Sequence, residues 1–279
     1  MNIRVIADSS SNIFRFDGLD YHAVPLKIIF NGLEYPDVES LNAPALMHRI
    51  HESGGATSTS CPSIGDWMDA MEGADRIICM TISGQLSGAY NAALNAAVEY
   101  MDEHPGAQVH VVDSLSTGPE IRLGLERLKQ DIEKEIPFDE LSARLHRYFS
   151  GVHILFSLES LTNLSRGGRV SSAVAKIAGM IGLQFVGAGS AEGTIQMVGK
   201  CRGANRTRKL LLDTMSETGF DGGKVRISHC DNPTGAAALA DAIRKAFRNC
   251  DVSIDECAGI CSYYADLGGL IVAYETNTL

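Results

Sequence analysis

Ser83-Gly84 and Ser87-Gly88 follow the apolar run RIICM (76–80) within the stretch TISGQLSGAY (81–90). A Ser-Gly pair between a strand and a helix can present a nucleophile, cradle a phosphate or hold a carboxylate. The nucleophile reading is weak. GQLSG places its serine one position late for a G-x-S-x-G elbow, and a serine nucleophile needs a base that a third group orients. His229, in SHCDNP, is the histidine that ends a strand in polar company, and it falls in the other half of the chain. Phosphate loops fare no better: there is no G-x-x-x-x-G-K-[ST], and GAGSAEG (187–193) misses G-x-G-x-x-G and reads as a hairpin turn. Cys257 and Cys261 lack the second ligand pair of a metal site. No catalytic residue, metal or cofactor is assigned.

Hydroxyls are the chemistry that this chain concentrates. Asp8, Ser9, Ser10 and Ser11 follow the first apolar run, and Thr57, Ser58, Thr59, Ser60 and Ser63 precede a helical segment. Ser83 and Ser87 follow the next run, and Asp113, Ser114, Ser116 and Thr117 the one after. Ser, Thr and Asp are the usual helix N-caps, and Ser11, Ser63 and Ser116 read as caps. One cap needs one hydroxyl, so the surplus around Thr59 and Ser83 asks for another role. Two hydroxyl-bearing loops with free helix-start N–H groups between them suit a small anion such as a carboxylate. The basic residues cluster in SRGGRV (165–170) and KCRGANRTRK (200–209). They are either solvated faces or sites for an anionic ligand or acidic partner.

The elements that must position these groups alternate in type. IRVIAD (3–8), RIICMTI (76–82) and QVHVVD (108–113) read as strands. APALMHRIHES (43–53), SIGDWMDAME (63–72) and SGAYNAALNAAVEYMDE (87–103) have helical period. His48 and His51 lie on the first of these helices and read as surface residues. Such alternation predicts right-handed crossovers and a mostly parallel sheet, whose ligands bind at the strands' carboxyl ends. Two more helical segments (118–135 and 138–150) precede strands of mixed character, of which 183–188 and 194–200 form a predicted hairpin. The expected fold is therefore α/β in two domains, a parallel α/β domain over 1–150 and a mixed α+β domain over 151–279. The formal net charge of -10 argues against a nucleic-acid surface. No apolar run is long enough to span a bilayer. Seven scattered cysteines suggest a reduced, cytoplasmic protein.

Six stretches resemble one known family. VIADSSSNI (5–13), TSCPSIGDW (59–67), ISGQLSGAYNAA (82–93), VVDSLS (111–116), LESLTNLSRGGRVSSA (158–173) and GKCRGANRTR (199–208) occur in the order and spacing of the DegV family. The resemblance implies a long-chain fatty acid in an apolar tunnel with its carboxylate at the domain junction. It also implies, for some members, a partnership with a fatty acid kinase subunit that phosphorylates the carboxylate. Carried over, Thr59, Ser60, Ser83 and Gly84 would form the head-group loops, with Arg169 near the ligand end. Tyr264 stands where the family has a histidine, and Cys61 where it has glutamine. Glu120 and Arg122 replace small residues. Two other readings share this scaffold: an acyl-handling enzyme using Ser83 or Tyr264, and an interaction module whose tunnel is filled.

Overall fold

The computed structural model describes residues 3–171 and 182–276. Its first sheet is parallel and holds β1 (Arg4–Asp8), β2 (Asp20–Val24), β6 (Arg76–Thr81) and β7 (Gln108–Asp113) in the order β2-β1-β6-β7. Alternation along these strands sends side chains to opposite faces. Ile6, Ile77 and Cys79 meet α2 (Ile64–Met71) and α3 (Ala89–Glu103) on one face. Val5, Ile78 and Met80 meet α4 (Pro119–Glu133) and α5 (Phe138–Phe149) on the other. Ala93, Ala96 and Ala97 are the buried stripe that lets α3 lie close to the sheet. Ala7 pairs with Met80, and Thr81 with Asp113, so Asp8, Thr81 and Asp113 finish together at one sheet edge.

The second sheet is mixed. It contains β8 (Val152–Leu158), β9 (Leu183–Gly189), β10 (Ile195–Arg202), β11 (Gly223–His229), β12 (Cys250–Glu256) and β13 (Leu270–Glu275). Their order is β10-β9-β8-β13-β11-β12, and only β11 and β12 pair in parallel. The expected hairpin is β9–β10. α7 (Ala204–Glu217) and α8 (Pro233–Ala246) cover one face through Leu211, Met215, Leu239 and Ile243.

A third, antiparallel sheet of β3 (Lys27–Phe30), β4 (Leu33–Pro36) and β5 (Thr57–Ser60) is a feature the sequence reading lacked. It packs with α1 (Ala43–Ser53), α6 (Thr162–Arg166) and α9 (Gly259–Ala265) against the other face of the mixed sheet. The parallel sheet thus ends at residue 113 and the mixed sheet begins at 152, while the packing crosses residue 150 in both directions. Among the described residues no helix is long and apolar enough to cross a membrane.

The caps divide. Ser63 forms a capping box with Asp66 at the start of α2. Ser11 accepts the Ile13 N–H inside a tight turn rather than starting a long helix. Ser116 is not a cap: Gly118 occupies that position at α4 without a side-chain bond, and the Ser116 hydroxyl donates to Glu120 at 2.5 Å. Pro119 at the start of α4 needs no N–H partner, which removes one reason for a capping hydroxyl.

A cavity between the sheets as candidate ligand site

Thr57 and Thr59 alternate with serines on β5 and so face the same way. β5 pairs with β3 in a register that sets Thr59 opposite the buried Ile28. This presents the threonines to two adjacent tyrosines of α9. Tyr263 donates its hydroxyl to Thr57 Oγ1 at 3.0 Å, and Thr59 Oγ1 shares a 2.7 Å hydrogen bond with the Tyr264 hydroxyl. Arg169 covers the Tyr264 ring with its guanidinium 5.3 Å from the ring centre. Its Nε donates to the Leu86 carbonyl at 2.8 Å and Nη1 to the Gly167 carbonyl at 2.6 Å. A cation held over a phenol keeps positive potential at this spot with little freedom to move.

The loop after β6 is built differently from expectation. Ser83 is fully buried, and its hydroxyl donates to the Gly193 carbonyl at 2.7 Å. Its own N–H donates to the Ser116 carbonyl at 2.8 Å. Both Asp113 carboxylate oxygens accept the Gly84 N–H, at 3.1 and 3.2 Å, and Asp8 accepts the Ile82 N–H at 2.7 Å. The two strand-end carboxylates thus hold the loop in place. Burial pushes the Asp8 carboxyl up to about 6 despite those donors, and pushes Glu120 up to about 8. With its hydroxyl hydrogen directed at a carbonyl, Ser83 is not hydrogen-bonded to a base among the described residues. His229 is occupied elsewhere, its Nδ1 accepting the Asn232 N–H at 3.3 Å.

Between these groups lies a cavity of about 340 Å³, within the range of small-molecule sites. Thr59, Ser60, Cys61, Ser87, Arg169 and Tyr264 are polar members of its wall, as are Ser116, Thr117 and Thr194. Ile82, Leu86, Ile154, Phe156, Leu158 and Ile271 are among its apolar lining. Arg169 is the one charged residue among the described residues of the wall. Four of the six predicted site residues, Thr59, Ser60, Arg169 and Tyr264, are therefore brought together. Ser83 and Gly84 are not in the wall; they stand behind it, where Ser83 fastens the β9–β10 turn whose Gly193 and Thr194 do line it.

Sequence reasoning missed Thr117, Thr194 and Ile195 as wall residues. Thr117 carried a signal, being in the hydroxyl cluster after β7, while the turn residues carried none beyond hairpin geometry. The basic stretch 200–209 runs through β10 into α7, and its Arg202 and Arg206 are exposed away from this wall. Ser172 and Ala173, which end the motif beginning at Leu158, lie outside the described residues.

Comparison with known proteins gives this arrangement relatives. The family model described as "Uncharacterised protein, DegV family" matches residues 2–277. A DegV domain-containing protein of Streptococcus gordonii is 31% identical over 279 residues, covering 99% of each chain. The structure of a DegV family protein from Eubacterium eligens loaded with heptadecanoic acid shares 38% identity. It superposes with a TM-score of 0.96 over 99% of this chain and 100% of that one. The Streptococcus pneumoniae Fatty Acid Kinase (Fak) B3 protein loaded with linoleic acid shares 31% identity, with the same TM-score and coverage. A match across nearly the whole length, in sequence and in fold, means that the chain belongs to the DegV family.

Proposed function

We propose that the chain binds a long-chain fatty acid in this cavity, with the carboxylate at the Thr59–Tyr264–Arg169 end. The observation that carries the reading is a largely apolar wall in which Thr59, Tyr264 and Arg169, linked through the Tyr264 side chain, bring hydroxyls and a cation together. Each methylene withdrawn from water gains about 0.8 kcal/mol, so an acyl chain needs little more than dry walls. The carboxylate needs donors, and the Thr59 and Tyr264 hydroxyls can each turn a hydrogen toward it. Arg169 supplies attraction without direct competition from another charged group among the described residues of the wall. Ser60 adds a neighbouring hydroxyl on β5. Ser83 and Gly84 act one layer back, by holding the loop and turn that shape the wall. The two neighbours crystallised with heptadecanoic and linoleic acids support this reading.

As in the Fak B3 neighbour, the bound acid would serve a fatty acid kinase, with this chain as carrier rather than catalyst. Tyr264 bears on that role, because a phenol donates a hydrogen bond yet carries no positive charge. A cytoplasmic setting belongs to the same proposal, and the seven free cysteines support it.

The test is extraction of the purified protein with organic solvent and mass spectrometry, followed by titration of the delipidated protein with palmitate. Co-purifying long-chain acids and saturable binding are expected. Thr59→Ala and Tyr264→Phe should each weaken binding by about 1–3 kcal/mol, the loss of a hydrogen bond to a charged group. An empty extract with no palmitate binding would refute the reading. Intact affinity in the double variant would refute the head-group assignment.

A further inference from the structure

Two glycines in the middle of a sheet occupy positions that call for explanation. Gly187 and Gly189 lie in β9, paired to β8 so that Phe156 is opposite Gly187. The same register continued by two residues on each strand brings Ile154 to Gly189. Neither glycine has the positive φ that favours glycine, so backbone conformation does not explain them. Space does. A Cβ built on Gly187 would overlap the Cε2 and Cζ atoms of the Phe156 ring, with the Gln196 carbonyl 2.8 Å away. A Cβ on Gly189 would come within 2.8 Å of Ile154 Cγ2. Glycine inside a strand marks a close approach of other atoms, and here the closest of them belong to two side chains of the cavity wall. On its other flank Phe156 pairs with Ile271 of β13, also in the wall. The ring therefore lies over β9 in the room the missing side chain leaves.

We infer that Phe156 and Ile154, seated over Gly187 and Gly189, set the length of acyl chain the cavity accepts. The inference rests on the fatty-acid reading of the cavity. A methyl group at Gly187 overlaps the Phe156 ring and so must displace it, and a ring displaced into the cavity that it lines shortens the space. Removing the ring lengthens it. Two methylenes more or fewer in dry surroundings correspond to about a tenfold change in affinity.

The experiment is calorimetric titration of the delipidated full chain with myristate and with stearate, reading the ratio of the two dissociation constants. Phe156→Ala should move that ratio toward stearate, and Gly187→Ala toward myristate, each by about tenfold. Phe156→Leu and Gly189→Ala are gentler counterparts should circular dichroism show that either variant is unfolded, and the same directions apply. A ratio unmoved in both classes of variant, or moved in the opposite sense, would overturn the inference. A shift with the Phe156 variants alone would assign the ring and overturn the role of the glycines. A wild-type chain that binds neither acid would instead sink the underlying reading together with this one, which separates the two failures.

Discussion

Glu120 shows how a residue can be visible in sequence while its environment is not. It occupies the first turn of α4, where an acidic side chain normally faces water and complements the helix dipole. Instead it is 5% exposed and meets the Ser116 hydroxyl. Burial, working against that one hydrogen bond, raises its carboxyl from 4.5 to about 8. A raised acid pKa binds its proton more tightly in the folded chain. The stability this contributes is fully present below about pH 4.5 and is lost as pH climbs to about 8. The full span is on the order of 5 kcal/mol. Asp8 and Asp37, both raised from 3.8 to about 6 chiefly by burial, add a loss of the same sign that is complete at lower pH. Glu120→Gln should therefore flatten the fall in Tm between about pH 6 and 8 and leave, below pH 6, only the decline due to Asp8 and Asp37. Scanning calorimetry across that range checks it; a variant that tracks the wild type above pH 6 would contradict it. The place of Thr59 in the cavity wall was readable from its surplus of hydroxyl company, whereas the destination of Ser83 was not, since its partner is a backbone carbonyl 110 positions away.

Among the elements, those with clean periodicity were legible and those built from hydroxyls were not. α1 has the bounds its apolar spacing predicts, and the β9–β10 hairpin follows from alternation around GSAEG. β5 reads TSTS, a run that suggests caps and loops, yet its two threonines are β-branched and sit well in a pleat. Its strand character comes from pairing with β3 and from the tyrosines of α9, partners more than two hundred residues away in the latter case. The β9–β10 turn is likewise defined by what it touches. The Gly193 N–H donates to Ser190 at 3.0 Å and the Ser190 N–H to Thr194 at 2.8 Å, so the turn is internally closed before Ser83 fastens it to the parallel sheet. Ser83→Ala leaves the Gly193 carbonyl without that donor, at a cost of about 1–3 kcal/mol. Hydrogen exchange at Ser190 and Gly193 should quicken while exchange in the β1 and β6 strands stays as it was. Equal protection at the turn in both proteins would show that the fastening is idle.

For the whole molecule, the division into a parallel and a mixed sheet was legible because the two strand styles differ in spacing and alternation. Their interlocking was not, because it depends on which faces meet. The β3–β5 sheet precedes residue 61, yet Ile28 and Phe30 share a core with Phe156, Ile260 and Tyr263. α1 is tied to the same half by His48 with Asp231 at 2.8 Å and His51 with Asp266 at 2.5 Å. In α4, Leu125 packs with the parallel sheet and Leu123 with Val152 and Ala273. Arg226 of β11 reaches back to Glu126 of α4 through two bonds of 2.7 Å. Cutting the chain at residue 150 would expose apolar faces on both pieces, and burial of such faces is the main favourable term in folding. The intact chain is therefore expected to melt in one calorimetric transition, and residues 1–150 expressed alone should lack a cooperative melt. The cavity wall draws on both halves, so a saturating fatty acid should raise that single Tm as a unit, by about 2.7 kcal/mol of stabilisation at a hundredfold excess over Kd. Two separable transitions, with only the later one moved by ligand, would mean that the halves fold independently and that the cavity belongs to one of them.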